Sequence, residues 1–155
     1  MQPIALPDEL QRAIYAHAIA MYPAECCGYL RGPADGAEVT ELVTCHNAQA
    51  EGGHPLAPER TVETGFVIAG AELFAFARAF DSATPPRVVY HSHTNGHAYF
   101  SDVDRAMADG PAYPVQHVVI GVVHGEVTET AQYAWSPASA AFVEVARWSP
   151  QHGRR

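Results

Sequence analysis

The 155-residue chain carries 17 acidic residues against nine basic ones, a formal charge of −8 at pH 7 with histidine neutral. All nine basic residues are arginine; the missing lysines exclude a P-loop and Schiff-base catalysis, and the acidic balance argues against partners that are nucleic acid or anionic membrane. With 48% hydrophobic and 17% charged residues the composition is that of one globular domain, taken to span residues 1–150 with a frayed tail at 151–155.

The predicted elements begin with a helix opened by Pro7-Asp8, with Leu10, Ile14, His17, Ala18 and Met21 on one stripe and Pro23 as its stop. Residues 26–30 and 39–44 read as two strands divided by the turn Gly32-Pro33-Ala34-Asp35-Gly36. Residues 46–61 are polar and broken by Gly52-Gly53, Pro55 and Pro58, which predicts a surface loop; a loop this long inside a compact domain is often functional. A second helix is expected over 70–81, with Leu73, Phe76, Ala77 and Phe80 facing the core. A strand at 87–93 leads into a glycine-containing loop and a short helix over 101–109. Residues 115–123 form a continuous β-branched run, as in a strand covered on both faces, and His124-Gly125 turns the chain into a returning strand at 127–135. The segment 139–148 reads equally as strand or helix. Helices interleaved with strands predict an α/β or α+β fold layered around one sheet.

Cys26, Cys27 and Cys45 make an odd count with no Cys-x-x-Cys pair, so they are expected as reduced, packed thiols. The chain shows neither a signal-peptide pattern at its start nor an apolar run of about 20 residues, and the expected location is the cytoplasm.

The chemistry is concentrated in residues 91–104. Residues two apart on a strand point to one face, about 6.6 Å apart along the chain, so His91 and His93 can aim both imidazoles at one point. Imidazole suits zinc, and Asp104, in the first turn of the next helix, is the candidate third ligand. Three protein ligands leave a fourth position for water. Ser101-x-x-Asp104 also fits a helix capping box that needs no metal, and Glu25 by itself reads as a solvated acid after a proline. A thiol nucleophile at Cys26 or Cys27 beside Glu25 is a weaker alternative, and His97 reads as an exposed loop residue.

The run His91-x-His93, seven residues, then Ser101-x-x-Asp104, with Glu25-Cys26-Cys27-Gly28 upstream, resembles the signature of the JAMM (MPN+) metalloproteases of the bacterial stand-alone type. The resemblance extends over nearly the whole chain. It implies a single domain with the family's cytidine-deaminase-like architecture, a central mixed sheet flanked by helices with the metal at one edge. It further implies that His91, His93 and Asp104 hold one Zn²⁺, that Glu25 is the general base and that Ser101 donates to the oxyanion. The implied reaction is hydrolysis of a peptide or isopeptide bond C-terminal to the Gly-Gly tail of a ubiquitin-like sulfur-carrier protein. Thr94 and Phe100 stand where members usually carry proline, removing two fixed φ angles from the loop. The rival readings are a non-catalytic MPN scaffold, for which an intact Glu25 would be superfluous, and a RadC-like DNA-associated protein, which the acidic charge disfavours.

Overall fold

A computed structural model of the chain describes residues 2–51, 59–110 and 112–150; the glycine and proline breaks expected at 52–58, with His54 among them, and the tail at 151–155 lie outside these. The elements run α1 (Asp8–Met21), β1 (Cys27–Arg31), β2 (Glu41–Cys45), a 3₁₀ turn (Ala48–Glu51), α2 (Gly70–Ala79), β3 (Pro86–His93), α3 (Asp102–Asp109), β4 (Gln116–Val123), β5 (Glu126–Ser136) and β6 (Ala141–Trp148). The six strands form one mixed sheet in the order β2-β1-β3-β4-β5-β6. Only β3 and β4 pair in parallel among these neighbours. A parallel pair needs a crossover, and the loop after His93 together with α3 supplies it.

Alternation along β3 divides the molecule into its two faces. Val88 and Tyr90 join Ile14 and Ala18 of α1 and Val118, Ile120 and Val122 of β4 in the largest core cluster. Val89 faces the other way, with Phe76 of α2, Cys27, Tyr29 and Cys45. His91 and His93 continue that second face by the period of two, so the imidazoles emerge on the side of α2 and α3. They sit at the C-terminal end of an inner strand, where the crossover leaves the sheet, rather than at the edge of the sheet. That end is open because the chain turns away there while the neighbouring strand continues, which is where ligands settle in open α/β sheets.

The segment 139–148, ambiguous by pattern, is a strand because β5 offers it a full antiparallel ladder from Thr130↔Trp148 to Ser136↔Ala141. In α2 the expected core stripe is corrected: Phe76 and Ala79 are buried, whereas Ala77 is exposed and Leu73 is 42% exposed. The helix touches the sheet by a narrow strip, and Leu73 instead lines an apolar groove beside His91. Met21 of α1 is likewise exposed, and His17 is half-buried with its Nδ1 2.7 Å from the Tyr90 hydroxyl. None of the described helices is long and apolar enough to cross a membrane.

The loop after His93 folds back tightly over β4. Gly121 pairs with His93 in the parallel ladder, and a Cβ there would lie 2.5 Å from the Gly96 carbonyl oxygen and 3.0 Å from the His97 nitrogen. Gly121→Ala is therefore expected to cost about 1–3 kcal/mol, as overpacking against backbone does. A thermal midpoint equal to that of the wild type would contradict this close approach.

His117 on β4 packs 5.0 Å from the rings of both Phe100 and Phe142. Burial, with the nearby His91 adding to it and Asp104 opposing, pushes its pKa from 6.5 down to about 3. Between those values the unfolded chain takes up a proton that the folded chain refuses, so stability falls as pH drops from about 6.5 towards 3. His117→Phe should flatten the stability profile over that window; profiles of equal slope would remove His117 from the account.

Candidate metal and catalytic site

Two elements bring the expected donors together. β3 presents His91 and His93, and Ser101 caps α3 so that Asp104 sits in its first turn. The capping box is complete: Ser101 Oγ accepts from the Asp104 N–H at 3.0 Å, and Asp104 Oδ2 accepts from the Ser101 N–H at 3.0 Å. The same Oδ2 lies 3.2 Å from His91 Nε2 and 3.2 Å from His93 Nε2, and the two Nε2 atoms are 3.1 Å apart. The capping-box reading of Ser101-x-x-Asp104 is realised, and the carboxylate oxygen that closes the cap also stands beside both imidazoles.

This triangle of atoms fits a metal. Donors held about 2.0–2.1 Å from a tetrahedral zinc ion lie about 3.3–3.4 Å from one another, close to the spacing seen here. The cluster is the kind of His/His/Asp group that could hold an ion, with both histidines buried. The His97 carbonyl lies 3.2 Å from His93 Nδ1 and can only accept, so it fixes the proton on Nδ1 and leaves Nε2 free for a cation. Nδ1 of His91 has no hydrogen-bond partner among the described residues. Phe66 stacks on the His91 ring at 4.4 Å and Tyr99 leans on His93 at 4.6 Å, which restrains both rings.

Glu25, placed near a metal by resemblance alone, is 5% exposed and lines a narrow cleft with His93 and Asp104. Burial raises its pKa to about 8, with Asp104 adding to the rise and His91 and Arg60 opposing it. Asp104 moves the other way: burial would raise it, but His91 and hydrogen bonds from both imidazoles hold it below the ordinary carboxylate range. Two acids in one site therefore have opposed proton affinities, which suits one to carry protons and the other to stay ionised. The thiols do not compete: burial pushes the Cys26 thiol up to about 12, far from the thiolate form at neutral pH.

Two supports escaped the sequence reading. The first is Asn47, 3% exposed, in the segment expected to be surface loop. Its Nδ2 donates to the carbonyls of Glu25 at 3.1 Å and Gly65 at 2.9 Å, while its Oδ1 accepts from the Gln49 and Val67 amides at 3.0 and 3.2 Å. Together with the Glu25 N–H donating to the Val62 carbonyl at 2.6 Å, this ties the backbone of Glu25 to residues 60–67. An Asn before a polar run carries no pattern that announces such a hub.

The second support holds the loop between His93 and Ser101. Ala98 N–H donates to Glu129 at 2.8 Å; its carbonyl accepts from Arg147 at 2.8 Å and from the Tyr133 hydroxyl at 2.9 Å. Glu129 and Arg147 are themselves paired at 3.0 Å. Phe100 is buried against His117, Tyr133 and Phe142. The loop's order comes from this clamp and this anchor instead of from fixed φ angles. His97 projects its side chain outward, as expected, and contributes through its carbonyl.

Comparison with known proteins places the arrangement. Residues 7–136 match the family described as prokaryotic homologs of the JAB domain. Over 108 residues, 70% of this chain and 67% of theirs, it is 31% identical to the CysO-cysteine peptidases of Mycobacterium tuberculosis and Mycobacterium bovis. Among solved structures, a protein of Desulfitobacterium hafniense superposes with a TM-score of 0.62 at 18% identity, covering 90% of this chain and 87% of its own. A JAB1/MPN domain protein of Archaeoglobus fulgidus gives 0.50 at 15% identity, covering 94% and 96%. These two structures bear on the fold alone.

Asn47→Ala should cost about 2–4 kcal/mol, because it strands buried backbone donors and acceptors. Since Asn47 holds none of the three candidate ligands, zinc affinity should fall by less than about tenfold, below the range for groups that orient ligands. A thermal melt with a calorimetric zinc titration tests both; lost zinc binding with unchanged stability would reverse the assignment.

Proposed function

Because the chain belongs to the prokaryotic JAB family, we propose that it is a zinc-dependent peptidase that hydrolyses the bond C-terminal to a Gly-Gly tail in a ubiquitin-like sulfur-carrier protein. The observation that carries this reading is a buried carboxylate, Glu25, with a raised proton affinity, in one cleft with a converging His/His/Asp cluster. The name of the mycobacterial relatives, CysO-cysteine peptidase, supports a carrier protein bearing cysteine at its end as the substrate class.

His91, His93 and Asp104 are the residues that would hold the ion. Zinc bound there supplies Lewis acidity, acidifying water and polarising an amide carbonyl. Glu25 takes a proton from the attacking water; a divalent cation nearby would draw its pKa down from about 8, towards the working range of a general base at neutral pH. Water oxygen joins the carbonyl carbon, the C–N bond breaks, and Glu25 returns the proton to the departing amine nitrogen. Ser101 Oγ, which accepts from the Asp104 amide, keeps its own hydroxyl proton free to donate to the oxygen that gains charge. The tail itself would lie extended past the cluster.

Glu25→Gln should bind one zinc per chain with near wild-type affinity and lower kcat by about 10²–10⁴, the usual contribution of a general base. Mass spectrometry of a Gly-Gly-Cys-ended carrier protein, incubated with zinc-loaded and chelator-stripped enzyme, reads the product directly. Full turnover by zinc-free protein would overturn the metal reading, and a folded protein that binds no zinc would favour a scaffold.

A further inference from the structure

The cleft that holds Glu25 also contains a cation that no step of the proposed reaction uses. Arg60 lines it together with Glu25, His93 and Met107, and its charge is felt at Glu25. Its Nη1 donates to the Thr64 carbonyl at 2.7 Å, while its backbone carbonyl accepts from Gln49, so the segment bearing it is fastened to the 3₁₀ turn. Among the described residues no carboxylate forms an ion pair with Arg60, whereas Arg31 and Arg147 face acids on the sheet. The three candidate ligands and Glu25 bring two negative charges, which a divalent ion balances. The guanidinium is then an uncompensated positive charge at the rim of a reaction cleft.

We propose that Arg60 is the receptor for the free α-carboxylate of the departing residue, so that the substrate ends one α-linked amino acid beyond the scissile bond. This rests on the peptidase reading above and deepens it. In an α-amino acid the carboxylate carbon lies about 2.5 Å from the nitrogen, two bonds away. The group that binds the carboxylate must therefore sit beside the group that protonates the amine, and Arg60 shares the cleft of Glu25. A lysine side chain released from an isopeptide bond carries no carboxylate within that reach, so the placement selects a peptide bond. Guanidinium presents paired donors matched to a carboxylate, and the Arg60 stem runs past Gly65, where an added Cβ would lie 3.3 Å from it. Val103 and Met107 from α3 line the same cleft.

The test uses zinc-loaded full-length enzyme and a ubiquitin-like carrier protein ending Gly-Gly-Cys, prepared as the free acid and as the C-terminal amide. The wild type should prefer the acid by about 10- to 100-fold in kcat/KM, chiefly through KM, as a charge-assisted bidentate pair provides. Arg60→Ala should bring that ratio close to one, and Arg60→Lys should restore part of it. Because each ratio is measured within one protein, partial loss of folded enzyme does not disturb it. Calorimetric binding of the acid and amide forms to zinc-loaded Glu25→Gln protein, with and without Arg60→Ala, should show the same difference without turnover. Cleavage of acid and amide at equal rates by the wild type would overturn the carboxylate receptor and leave the peptidase reading standing. A preference for the acid that survives Arg60→Ala would move the receptor to another residue. Failure of the wild type to cleave either form would remove both readings.

Discussion

One carboxylate oxygen, Asp104 Oδ2, ties the local folding of a helix to the geometry of the site. It accepts the Ser101 N–H, closing the cap of α3, and meets the Nε2 atoms of His91 and His93 at 3.2 Å. A cap fixes its acid in the first turn because an orphan backbone donor must be satisfied there. The histidines are fixed by the pleat of β3. What remains adjustable is the distance between strand end and helix start, and this the loop 94–100 must set. The parallel β3–β4 pairing demands such a crossover, so the feature that makes the sheet mixed also delivers the third donor.

The supports around this oxygen divide by what they hold. Glu129, Arg147 and Tyr133 grip Ala98, and with Thr128 on the Gly96 carbonyl they fix the loop that presents the His97 carbonyl to His93. Asn47 grips the backbone of Glu25 and nothing of the ligand set. A buried polar network is favourable only when its members are satisfied, and the four hydrogen bonds of buried Asn47 use the full capacity of its amide. Ligand placement and acid placement are thereby separate structural tasks, which is why substitutions in one support and the other affect different measurements.

The legible part of this site was the part encoded by period and spacing. His-x-His on a strand and Ser-x-x-Asp before a helix follow from two local geometries, and both can be read in 14 consecutive residues. The sheet order, the clamp on Ala98 and the hub at Asn47 were not legible because they join residues far apart in sequence through single hydrogen bonds, which leave no periodic trace. Glu25 stood between: its approach to the cluster followed from likeness to a family and from no local rule. The α2 stripe misled for a related reason, since helical period reports which residues share a face and not how much of that face the sheet reaches. Leu73 shares the face of Phe76 and ends at a groove.

The absence of lysine acquires a sharper meaning beside Glu25. A buried acid with a pKa near 8 can carry a proton only if its neighbours do not exchange one with it on the same scale. A lysine ammonium in that cleft would be open to the same desolvation that raises Glu25, and its own proton affinity would fall towards the working range. Two groups would then share one titration, and neither would be the sole proton carrier. Guanidinium stays protonated in proteins, so Arg60 can contribute charge and paired donors while leaving proton traffic to Glu25. The neighbouring thiols are removed from that traffic by the opposite route, being buried and held neutral, with Cys26 at about 12. The cleft thus contains one cation that cannot release its proton, and the thiols behind it do not ionise, so neither group competes with Glu25 for the transferred proton.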